Sequence, residues 1–101
     1  MTVEEARARL DEYRVLIDDV DRRIVDLLNE RTRVVEEIGR VKKHSDLPIY
    51  EPKREEQVFA NIVGHNRGPL SPEAVRRIFE RIIDEARSIQ RQRMAQQDGS
   101  R

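Results

Sequence analysis

The chain has 101 residues, 20 of them basic and 20 acidic, so its net charge of zero removes the electrostatic case for nucleic acid or an anionic membrane surface. It has no cysteine and only two histidines, His44 and His65, far apart in sequence, and therefore offers no disulfide framework, no thiolate nucleophile and no metal centre. Apolar residues make up 37% of the chain, which in a single domain of this length gives a thin core unless surface is also buried between subunits.

A first helix is predicted over about residues 5–44. Leu10, Tyr13, Ile17, Val20, Ile24, Leu27, Val34, Ile38 and Val41 recur at alternating steps of three and four, one face of an α-helix and the repeat of helices that wind around one another. The slot between Leu27 and Val34 is filled by Arg31. Such a helix would run roughly 60 Å, far beyond what a compact domain of this size can cover alone, and a dimer is expected. Charged residues off the stripe are those a solvated face requires. Gly39, costing about 1 kcal/mol relative to alanine, would allow a close helix approach.

Pro48 and Pro52 interrupt the pattern and mark a connection. A second helix is predicted over about 52–66, with Pro52 at its first position and Val58, Phe59 and Ile62 on its apolar face; Arg54 and Glu55 lie one turn earlier, on or beside that face. Ser71-Pro72-Glu73 is a start signal for a third helix over about 72–95: a serine cap, proline first, an acid in the first turn. Val75, Ile78, Phe79, Ile82, Ile83, Ala86 and Ile89 follow at helical spacing, and residues 96–101 read as a frayed tail. The expectation is one all-α domain spanning residues 1–101. No signal-peptide run or membrane span is seen, and a cytoplasmic location is expected.

Polar residues that helical geometry turns inward carry the functional information. Lys42 lies eleven residues after Arg31, which returns it to within about 20° of the same direction three turns on. Gln90 follows Phe79 by eleven and Ile83 by seven, and shares their row. A lone arginine in a stripe can snorkel or set register, a lysine near a helix end is favoured by the helix dipole, and a glutamine can bond a neighbouring backbone group. Together these residues are harder to explain one by one, and cations converging on one interior space imply either internal carboxylates or an anionic guest. Arg14 precedes Arg31 by seventeen residues and points about 100° away, so it cannot easily serve the same pocket in one chain; in an antiparallel dimer it could reach the pocket of the partner.

These residues resemble the small all-helical chorismate mutases. The resemblance runs from Leu10 to Gln90 and is carried by Arg14, residues 16–21 (Leu-Ile-Asp-Asp-Val-Asp), 27–31 (Leu-Leu-Asn-Glu-Arg), 38–42 (Ile-Gly-Arg-Val-Lys), 48–55 (Pro-Ile-Tyr-Glu-Pro-Lys-Arg-Glu), 78–83 and Gln90. It implies an intertwined helical homodimer with two active sites, each completed by an arginine of the other subunit. It also implies the rearrangement of chorismate to prephenate in the shikimate pathway and aromatic amino acid biosynthesis, without a cofactor. By the same resemblance Arg14 of the partner chain, Arg31 and Arg54 bind the substrate's carboxylates, and Lys42 and Gln90 donate to its ether oxygen. Glu55, and Glu51 where many relatives have aspartate, surround its hydroxyl, and Ala86 replaces a serine bordering the site in some relatives. An isochorismate-pyruvate lyase on the same fold and a non-catalytic helical dimerisation or regulatory module are the alternatives. A partner enzyme of the same pathway that raises activity stays open.

Overall fold

The computed structural model describes residues 1–99. Three α-helices account for its regular structure: α1 Val3–His44, α2 Pro52–His65 and α3 Pro72–Gly99, with no strand among the described residues. Thr2 caps α1: its hydroxyl accepts from the Glu5 amide at 3.1 Å, and Glu4 and Glu5 place negative charge in the first turn. The helix stops at Asp46, whose φ of 56° is left-handed. There the Leu47 amide donates to the Lys42 carbonyl at 2.8 Å and the Asp46 amide to that of Lys43 at 3.4 Å. This is the Schellman arrangement, with aspartate where glycine is commonest.

Pro52 opens α2 behind Glu51, and Asn66 closes it, its amide donating to the Ile62 and Val63 carbonyls. Asn66 also shapes the connection beyond: its side chain donates to the Leu70 carbonyl at 2.8 Å and accepts from the Gly68 amide at 3.0 Å. Ser71 caps α3 through its hydroxyl, which accepts from the Ala74 amide at 3.1 Å. α3 continues to Gly99, past the expected end near residue 95, because no glycine or proline intervenes and Ala95, Gln96 and Gln97 are fair helix formers. Residues 100 and 101, the end of the expected tail, lie outside the described residues.

The chain forms two compact units, Met1–Arg33 and Val34–Arg101. In the first, the apolar row of α1 faces solvent along its length, with Tyr13 at 66% exposure and Leu27 at 63%. In the second, α2 and α3 pack together, with the Arg76 guanidinium 4.2 Å from the centre of the Phe59 ring. Val35, Val75 and Ile83 are the buried apolar residues. The last turns of α1 lie along α3: Arg93 pairs with Glu36 at 3.0 Å, and the Lys43 ammonium donates to the Met94 carbonyl at 3.4 Å. On this unit too the stripe is uncovered, and Val34, Ile38 and Val41 are exposed. No described helix is long and apolar enough to cross a membrane.

Candidate functional site

Two shielded polar side chains, Gln90 of α3 and Lys42 of α1, lie near the approach of α3 to Gly39. Gln90 retains 7% of its exposure, on the row of α3 that carries Ile83 about two turns earlier. Its amide donates to the Val35 carbonyl at 3.3 Å. The approach is close at Gly39, where a Cβ would stand 3.4 Å from Gln90 Cγ, in van der Waals contact with it. Lys42 follows Gly39 by three residues, nearly one turn, so it flanks the same contact. Its side chain is 13% exposed, and its ammonium donates to the Ile49 carbonyl at 3.0 Å and pairs with Glu51 at 3.3 Å. The segment 45–51 is thereby folded back onto the end of α1.

The donor inventory of these two groups is larger than their internal use. An ammonium has three N–H groups, and Ile49 and Glu51 take two; a primary amide has two, and Val35 takes one. Each can therefore present a further N–H to a guest. A lysine and a glutamine offering donors from a sheltered position can stabilise negative charge developing on an oxygen between them.

Glu55, on the first turn of α2, is half-buried and lies 3.7 Å from the Arg87 guanidinium of α3. Arg87 is a neighbour of Glu55 that the sequence reading passed over. Its position eight residues after Phe79 and four after Ile83 places it beside the apolar row, and that spacing was the available signal. Ala86 is half-buried one turn before Gln90. Arg54 is exposed, its guanidinium 3.5 Å from the Gln57 side-chain oxygen. In the other unit Arg31 is half-buried, while Arg14 is exposed and pairs with Asp11 at 3.4 Å. The second unit thus contains Lys42, Glu51, Glu55, Ala86 and Gln90, with Arg54 at its surface.

An open cavity of about 360 Å³ adjoins Lys42 and Glu51, with Val34, Ile38, Val41 and Leu47 as its apolar wall and Glu37 at its edge. One cation against two carboxylates does not suit a dianion. The wall is the exposed stripe of α1, and it suits another helix.

A model of the family described as chorismate mutase type II matches residues 13–91. The bifunctional chorismate mutase/prephenate dehydratase of Stutzerimonas stutzeri is 37% identical over 87 residues, which cover 81% of this chain and 24% of that protein. The chain thus spans about a quarter of the length of such bifunctional relatives. The chorismate mutase of Methanocaldococcus jannaschii is 27% identical over 88 residues, covering 83% of this chain and 86% of that one. Among solved structures, form II of the Thermus thermophilus chorismate mutase superposes with a TM-score of 0.80 at 38% identity, covering 82% of this chain and 94% of that one.

Proposed function

From the premise that this chain belongs to the type II chorismate mutase family, we propose that it catalyses the rearrangement of chorismate to prephenate, one step of aromatic amino acid biosynthesis. In that reaction the ether C–O bond breaks as a new C–C bond forms within one six-membered ring of atoms. No proton or electron is exchanged with the protein. Catalysis then consists of holding the folded conformer of a dicarboxylate and stabilising charge that builds on the ether oxygen. The observation that carries the reading is the sheltered pair Lys42 and Gln90, each with an N–H to spare beside Gly39.

In this reading Lys42 and Gln90 donate to the ether oxygen. Arg31 and Arg54 take the carboxylates through their planar forks, and Arg14 of the partner subunit completes the set. Glu55 and Glu51 surround the ring hydroxyl, and Ala86 borders the site without a polar contact. The homodimer this requires is supported by the uncovered stripe of α1, from Leu10 to Val41. A solvent-facing row of that length and apolarity is characteristic of an interface. The bifunctional relatives carry a prephenate dehydratase in the same polypeptide, which supports a partner acting on the product.

The deciding experiment is chorismate disappearance with product identification on the purified protein. Prephenate as sole product is expected, and no turnover would end the reading. The same assay tests the shared site. Arg14→Ala and Arg31→Ala should each be nearly inactive alone. Mixed in equal amounts and allowed to exchange, half the dimers are hybrids with one intact site of two, and about a quarter of the wild-type rate should return. Absence of recovery, with exchange verified by mass, would place both arginines in one subunit's site.

A further inference from the structure

We infer that Arg87 is a positioning residue that holds Glu55 for the substrate's ring hydroxyl, an inference that rests on the function proposed above. The guanidinium is fixed from three directions. Its Nη2 pairs with Asp84 on its own helix at 2.6 Å, its Nη1 faces Glu55 Oε2 on α2 at 3.7 Å, and its Cζ lies over the Tyr50 ring, 5.4 Å from the ring centre, in the connection between α1 and α2. Different nitrogens serve the two carboxylates, so the contacts do not compete. Asp84 is largely exposed, whereas the side chains of Arg87 and Glu55 keep only 27% and 22% of their exposure. The Glu55 pair therefore lies in the more sheltered of the two environments.

The distances define what Arg87 contributes. At 3.7 Å the contact with Glu55 is an ion pair longer than a hydrogen bond, so it restrains the carboxylate electrostatically without consuming its lone pairs. Glu55 remains able to accept from a hydroxyl. Asp84 and Tyr50 hold the guanidinium itself, and a planar, delocalised cation is the side chain that can bond at its edge while resting on an aromatic face. Arg87 joins α3, α2 and the connection that carries Glu51, and through Glu55 it acts on the substrate without touching it.

The test is a double-mutant cycle on the dissociation constant of a bicyclic diacid that mimics the transition state and carries the ring hydroxyl, measured by calorimetry for wild type, Arg87→Met, Glu55→Gln and the double variant. Arg87→Met should weaken binding about tenfold in the wild-type background and less than twofold in the Glu55→Gln background, as expected of two groups that act as a pair. Arg87→Lys, which keeps the charge and gives a second route should the methionine variant not fold, should recover at least half of the loss. Equal losses in both backgrounds would mean that Arg87 serves packing alone, and unchanged binding in Arg87→Met or Glu55→Gln would equally overturn the inference. Wild-type turnover of chorismate, assayed in parallel, separates these failures from failure of the proposed function.

Discussion

Lys42→Ala should lower kcat/KM for chorismate by about 10³-fold, the upper range for removing one preorganised donor from a site of developing negative charge. That is roughly 4 kcal/mol of transition-state stabilisation. The expectation rests on shelter and charge together: the ammonium is mostly withdrawn from water, and two of its N–H groups are anchored on the Ile49 carbonyl and Glu51. The third therefore points with little freedom, and a positioned cation requires little reorganisation when charge appears on the ether oxygen. Folding should suffer far less. Glu51 is nearly half exposed and returns to water when its partner is removed, so the lost pair costs at most about 1 kcal/mol. Unchanged helicity and subunit mass alongside the kinetic loss are the expected controls. An alanine variant with near-normal kcat/KM would remove Lys42 from the chemistry.

The second large effect is a change in pH dependence. Gln90 has no proton to lose, so the wild-type rate should be nearly flat from about pH 5 to 8. In Gln90→Glu the side chain would meet the Val35 carbonyl in the same buried position, and only the protonated acid could donate there or to the ether oxygen. Burial raises a carboxyl's pKa above its ordinary value of about 4.3. The variant should thus be active at the acid end of the range and lose most of its rate as pH rises through that raised value. Its stability should follow the same direction, complete below the unfolded pKa and declining as pH climbs, because the folded state then holds a proton that the unfolded chain releases more easily. Parallel pH–rate profiles of the two proteins would check this, and a variant as flat as the wild type would show that Gln90 is not the donor.

Periodicity and capping chemistry made much of this legible from the residues. The row that placed Gln90 among hydrophobes corresponds to a buried amide, Ser71 caps α3, and Pro52 opens α2. Gly39, marked by low helix propensity, is where α3 comes close. What sequence could not supply depended on the return of the chain on itself. Arg87 stood beside the apolar row but was one of many arginines on α3, and only the approach of α2 and Tyr50 distinguishes it. The anchoring of Lys42 depends on a backbone carbonyl, Ile49, which has no sequence signature. Asp46 was not recognisable as the helix stop because glycine is the usual residue in that conformation. Arg54, placed near the inward face by spacing, is exposed in the single chain; spacing reports direction around a helix and not what covers it.

The two connections differ in what they would bear if lengthened. Lys42 anchors the first twice, its backbone carbonyl taking the Leu47 amide and its side chain the Ile49 carbonyl. The length from residue 42 to residue 49 is therefore set by the residue that the reaction is proposed to need, and an insertion there would detach the lysine from its anchor. The 66–71 connection is tied mainly by Asn66 to its own neighbours, away from Lys42 and Gln90. A peptide tag or a new chain terminus belongs in the second connection and not in the first.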